Sequence, residues 1–203
     1  MGAAPQFQLP GFTSGIWHGE PVEASYDIQA GILKVVSGAE TDWNIDALTD
    51  QRSDSAPALL FEIDGDFALS ACVAVEFFGT FDAGILCVRS GPFQWAKLCF
   101  ERSPARQPMI VSVVTEGVSD DANSVIVEGD EVWLRVSRFG DACVFHYSLD
   151  GLWWHFVRQF RLVDGAKAKA GFLSQSPFGK GTKALFRDIK CGTVAEHDLR
   201  DGS

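Results

Sequence analysis

The chain has 203 residues, with 17 Lys and Arg against 27 Asp and Glu for a formal net charge of −10, and 46% hydrophobic residues that include 16 Phe and 6 Trp. This length fits one domain around one core, and the aromatic content excludes a disordered chain. The acidic excess sets the whole-molecule field against nucleic acid and an anionic membrane surface as partners.

Met1 to Leu9 has neither a basic start nor an apolar run, so no signal peptide is expected, and no stretch reaches the ~20 apolar residues of a membrane span. Residues 1–11 read as an N-terminal extension, 12–194 as a single domain and 195–203 as a polar tail. The dominant periodicity is two, the period of a strand. It predicts strands over Ile32–Val36, Phe67–Phe78, Gly84–Arg89 and Trp95–Glu101. Further strands are predicted over Met109–Thr115, Glu131–Arg138, Ala142–Ser148, Trp153–Leu162, Lys169–Ser174 and Lys183–Lys190. Turn-forming pairs such as Gly129-Asp130, Gly140-Asp141 and Asp150-Gly151 separate them. The longest irregular stretch, Ser37 to Ser55, is rich in Asp and Thr and carries Trp43, and long loops in compact domains are often functional. About ten strands without a helical stripe predict an all-β, antiparallel two-sheet β-sandwich or jelly roll.

Cys72, Cys87, Cys99, Cys143 and Cys191 are odd in number and contain no C-x-x-C pair, which suggests neither a disulfide framework nor a zinc site. A cytoplasmic location is the expectation. His18, His146, His155 and His197 lack metal-ligand spacing, and Gly179-Lys180-Gly181-Thr182 lacks the full phosphate-loop spacing, so no metal and no cofactor is expected.

The two faces of the predicted strands carry different chemistry. Ala96, Leu98 and Phe100 share an apolar face, as do Val132, Leu134 and Val136, while Cys143, Phe145 and Tyr147 join the core. The opposite faces present Trp95, Lys97, Cys99 and Glu101, then Trp133, Arg135 and Ser137, then Val144, His146 and Ser148. If these strands are neighbours in a curved sheet, the polar and aromatic groups share one concave surface. Such a surface suits a carbohydrate: an indole stacks on the apolar face of a pyranose while charged groups bind vicinal hydroxyls. The same pattern is also compatible with aromatics covering the sheet and with solvated charges or cross-strand pairs.

Several runs together carry a family resemblance. They are Asp82-Ala83-Gly84-Ile85-Leu86-Cys87-Val88-Arg89, Trp95-Ala96-Lys97, Ser112-Val113-Val114-Thr115, Trp133-Leu134-Arg135-Val136 and Tyr147-Ser148-Leu149-Asp150-Gly151 with Trp154. With Thr41-Asp42-Trp43, they resemble the concanavalin A-like family called domain of unknown function 1349, over roughly Leu33 to Ile189. That family includes proteins labelled "regulation of enolase" and is similar to the sandwich domain appended to some β-xylosidases. The resemblance implies a jelly roll of the lectin/glucanase type.

Glu62-Ile63-Asp64-Gly65-Asp66 sets three carboxylates at alternate positions, about 6.6 Å apart if the segment is a strand. The lettering is similar to the acidic motif of retaining β-glucanases, and paired carboxylates are the minimum for glycoside hydrolysis. Gly65 breaks the strand, so a turn is the competing reading.

The leading expectation is a non-catalytic protein binding a sugar or a small acidic sugar derivative. Trp95 and Trp133 would stack, Lys97 and Arg135 would bind oxygens, Glu101 and His146 would exchange hydrogen bonds, and Asp82 and Arg89 complete the candidate set. The alternatives are a glycoside hydrolase using Glu62, Asp64 and Asp66, and a protein-interaction regulator of a metabolic enzyme, which the family label suggests.

Overall fold

The computed structural model describes residues 7–162, 164, 168–193 and 200, and no helix occurs among the described residues. The chain opens with β1 (Phe7–Gln8), β2 (Ser14–His18), β3 (Glu23–Asp27) and β4 (Ile32–Val36), followed by a small hairpin of β5 (Trp43–Ile45) and β6 (Arg52–Asp54). Then come β7 (Ala58–Phe61), β8 (Phe67–Glu76), β9 (Ala83–Gly91), β10 (Gln94–Arg102), β11 (Pro108–Glu116) and β12 (Ser119–Ile126). The remaining strands are β13 (Glu131–Phe139), β14 (Ala142–Ser148), β15 (His155–Arg161), β16 (Lys169–Gln175) and β17 (Lys183–Gly192).

Two antiparallel sheets form the sandwich. One has eight strands in the order β1-β2-β7-β16-β9-β10-β11-β12, and the other has seven in the order β15-β14-β13-β8-β17-β4-β3. The expected β-sandwich is therefore present. Its core lies between the sheets, where Leu86, Val88, Ala96, Leu98 and Phe100 meet Leu69, Ala71, Val73, Val132, Leu134 and Val136. Each large aliphatic or aromatic side chain buried there is worth roughly 1.5–3 kcal/mol against exposure. The predicted inward faces of β10 and β13 are the observed ones, as are Cys143 and Phe145 on β14.

The outer face of the eight-stranded sheet is not bare. A second apolar cluster sits on it, built from Ile85, Cys87, Trp95, Cys99, Val111 and Val113 and covered by Trp43 and Ile45 from the 37–57 segment. Trp43 is fully buried, and its Nε1 donates to the Ala56 carbonyl at 3.0 Å. Much of the outer face of β9 to β11 is consequently buried as well, and β10 has no exposed residue.

Among the described residues, Phe7 pairs opposite Gly15 and Leu9 belongs to the core, so the fold includes part of the expected N-terminal extension. The expected tail, 195–203, lies outside the described residues except for Arg200. The segment from Glu62 to Asp66 is a turn between β7 and β8, with Gly65 at φ 68. Glu62 pairs with Lys169 at 3.0 Å, and Asp66 accepts the Gly140 amide at 2.8 Å. The buried Arg138 guanidinium donates to the carbonyls of Ile63, Gly65 and Ala168, tying that turn to the sandwich end. Glu62, Asp64 and Asp66 are exposed and do not line a strand face, which corrects the acidic-strand alternative in favour of the turn.

Candidate functional site

Beside the covered apolar cluster, the same outer face opens into a cleft of about 200 Å³. Its floor is β10, which contributes Lys97 and Glu101 because both fall on the outward register with Trp95 and Cys99. Strand β12 brings Asp121 and Asn123 to the rim, the 37–57 segment brings Asp42 and Asn44, and β16 ends at Gln175. Phe81, Pro177 and Phe178 form an apolar wall.

Lys97 is 3% exposed, and its ammonium donates to Asp42 Oδ1 at 3.2 Å and Gln175 Oε1 at 3.0 Å. Burial opposes its charge, but Asp42, with Cys99 and Glu101, more than offsets this and holds its pKa above the usual lysine value. Glu101 is 8% exposed and accepts no hydrogen bond from any described residue. Burial pushes its carboxyl up to about 8, Lys97 pulls it down, and Asp42 and Asp121 add to the rise. Near neutral pH the floor of the cleft thus holds an ammonium and a protonated carboxyl.

The wall is built by a strained turn. Phe81 adopts φ 64, a backbone conformation rare for a bulky side chain. Its amide donates to the Arg102 carbonyl at 2.8 Å, and its ring lies 5.7 Å from that of Phe178. Asp82 is wholly buried. Its Oδ2 accepts the amides of Phe78 at 2.8 Å and Gly79 at 2.6 Å, and its Oδ1 accepts the Ser176 hydroxyl at 2.6 Å. Asp82 thereby joins the Phe81 turn to the Phe178 loop. It positions the wall and does not face a ligand, a correction to its expected role.

Other expected site residues also change place. Trp95 is fully buried under Trp43, with ring centroids 6.0 Å apart, so it offers no face to a sugar. Arg89 stacks over Trp43 at 4.6 Å and Trp95 at 5.0 Å and forks onto Asp54 with bonds of 3.0 and 2.9 Å. Partial burial works against the Asp54 charge, yet Arg89, Arg52 and His18 hold its carboxyl below the usual range. Arg89 therefore fastens the covering segment. Trp133, Arg135 and His146 belong to β13 and β14 of the seven-stranded sheet, on the opposite outer face of the sandwich. There Arg135 lies 4.4 Å over Trp154, and burial lowers its pKa to about 10. The single concave surface shared by Trp95, Lys97, Trp133, Arg135 and His146 does not exist, because β10 and β13 lie in different sheets.

The structure thus retains Lys97 and Glu101 from the expected set and adds Asp42, Asp121, Gln175, Phe81 and Phe178. Two signals for these were present: Asp42 lies in the Thr41-Asp42-Trp43 element, and Pro177-Phe178-Gly179 exposes an aromatic in a turn. Asp121 gave none, since β12 is polar throughout most of its length. Among the described residues no group of His, Cys, Asp and Glu is arranged to hold a metal ion.

A family model described as "Protein of unknown function (DUF1349)" matches residues 17–194. The chain belongs to this family. No curated protein sequence matches the chain. Among solved structures, a functionally unknown protein from Saccharomyces cerevisiae superimposes with a TM-score of 0.81 at 23% identity, covering 90% of this chain and 97% of that one. Xylan β-1,4-xylosidase from Bacillus halodurans C-125 gives 0.63 at 14% identity, with 91% of this DUF1349 chain matching 37% of the xylosidase chain. The carbohydrate-binding module CBM66 from Bacillus subtilis gives 0.57 at 12% identity, over 90% of this chain and 98% of the module. At these identities the likenesses establish the β-sandwich fold that the DUF1349 chain shares with them.

Proposed function

We propose that the protein is a non-catalytic binding protein whose Lys97 cleft holds a sugar or sugar-derived ligand. The observation that carries this reading is the convergence of the nearly buried Lys97 and Glu101 on a cleft walled by Phe81 and Phe178. A sugar hydroxyl both donates and accepts, matching a floor that mixes ammonium, carboxyl and amide, and the apolar face of a pyranose fits against an aromatic wall. The fold is similar to those of a carbohydrate-binding module and of a xylosidase chain, which supports the same reading. The lining disfavours an acidic sugar derivative: among the described lining residues Lys97 is the one cation, and it is already bonded to Asp42, while Asp121 adds a further carboxylate. Of the other cations expected to bind such a ligand, Arg89 is engaged with Asp54 and Arg135 lies on the far sheet.

A glycan array followed by calorimetry tests the reading. Retained glycans should bind Phe178→Ala about 3- to 10-fold more weakly, the scale of one aromatic stacking contact. Trp133→Ala, on the opposite face, should bind like the parent. An array with no retained glycan, or equal binding by Phe178→Ala and the parent, overturns the assignment.

A second reading has its own observation. A carboxyl raised to about 8 by burial, lining the same cleft as Asp42 and Asp121, suits the acid half of a glycoside hydrolase pair. Aryl glycoside hydrolysis abolished by Glu101→Gln would favour this reading over simple binding.

A further inference from the structure

We propose that the Lys97 cleft selects a sugar bearing a protonated amine over the neutral and the acidic sugar of the same ring. This rests on the binding reading above and names the class of ligand. The Lys97 ammonium is already spanned by Asp42 and Gln175 at 3.2 and 3.0 Å, so it brings no free positive charge to the cleft. Asp121 stands at the rim without a hydrogen bond from any described residue, while its neighbour Asp120 is taken by Arg158 at 2.8 Å. Glu101, more than nine-tenths buried, faces the same space with its carboxyl unclaimed by any described donor. The cleft therefore combines acceptor capacity with a deficit of positive charge.

An amine on a sugar ring resting against Phe178 would supply both missing elements, donors for the carboxyls and a compensating charge. The volume of about 200 Å³ corresponds to about seven waters at the ~30 Å³ share of liquid water, room for one hexose. A carboxylate-bearing sugar would instead meet Asp42 and Asp121 as like charges, with Lys97 already engaged.

The charged groups that face Glu101 are Lys97 on its own strand, Asp42 on the covering segment and Asp121 on β12. Its carboxyl is kept protonated near neutral pH chiefly by burial. An arriving ammonium favours the ionised form, so the Glu101 carboxyl becomes a carboxylate paired with the ligand and one proton passes to solvent. A neutral sugar releases none.

Calorimetry of the full chain with glucosamine, glucose and glucuronate tests the inference. The titrations are run in two buffers of different ionisation enthalpy at about pH 6.5, below the ~7.7 of an ordinary α-amino group. Glucosamine should bind at least ten-fold more tightly than glucose and release up to one proton, and glucuronate should bind most weakly. Glu101→Gln should abolish the proton release and reduce the preference for glucosamine over glucose. Asp121→Asn, at an exposed rim position, should also reduce the preference. Equal affinity for glucose and glucosamine, or tightest binding of glucuronate, overturns the amine preference and leaves the sugar reading standing. Failure of all three sugars to bind at millimolar concentration removes both.

Discussion

At Glu101 the burial imposed by its place on β10 opposes the charge its side chain would carry in water. The folded carboxyl titrates near 8 and the ordinary value is 4.5, so between these pH values the folded state holds a proton that the unfolded chain has released. Stability contributed by this group is complete below about 4.5 and is lost as pH rises towards 8, by up to about 1.4 kcal/mol per pH unit. Glu101→Gln should remove that slope, making the variant more stable than the parent near pH 8. Urea unfolding at about pH 5 and about pH 8 checks this, and parallel changes in the two midpoints would refute it. Lys97 and Glu101 were legible as outward residues of β10 because alternation alone sets their face. Whether that face was wet, covered or cleft-forming was not legible. Trp95 shares their register and is sealed beneath Trp43, two residues along from a lysine that borders open space.

Among the elements, the 37–57 segment decides what the eight-stranded sheet exposes. It is held by the buried Trp43 ring, the hydrogen bond from Trp43 to Ala56, and the fork of Arg89 onto Asp54. Trp43→Ala should cost about 3–5 kcal/mol, the usual range for removing a buried large aromatic. It should also red-shift the emission of Trp95, whose Nε1 is buried without a hydrogen-bond partner among the described residues. Chemical unfolding combined with fluorescence measures both effects, and an unshifted spectrum with a loss below about 1 kcal/mol would count against this role for the segment. Period two identified β4 and β14 at their observed limits and β8 to β11 within a few residues. It missed β12 because an edge strand carrying Asp120, Asp121 and Asn123 has no apolar contrast from which to read a period. Such polar edges resist pairing with other chains. Strand β7 is buried at all four positions and offers no alternation to read, and β2 and β3 were missed as well.

For the molecule as a whole, the two-sheet architecture disperses the five cysteines, all of them free. Burial pushes the thiols of Cys72, Cys87 and Cys143 up to about 12 and also raises those of Cys99 and Cys191. A thiol-titrating disulfide reagent at about pH 8 should therefore modify at most Cys191 in the folded protein and all five after unfolding, since the thiolate is the reactive form. Rapid reaction of two or more thiols in the folded protein would contradict this. The sequence by itself determined the all-β class, the inward faces of the long strands and the absence of paired cysteine spacing. These follow from side-chain alternation and composition, which are local properties of the chain. Only the tertiary structure decided which strands became neighbours. It sent Trp133, Arg135 and His146 to one outer face and Lys97 and Glu101 to the other, because strand order depends on long-range pairing that no local pattern encodes.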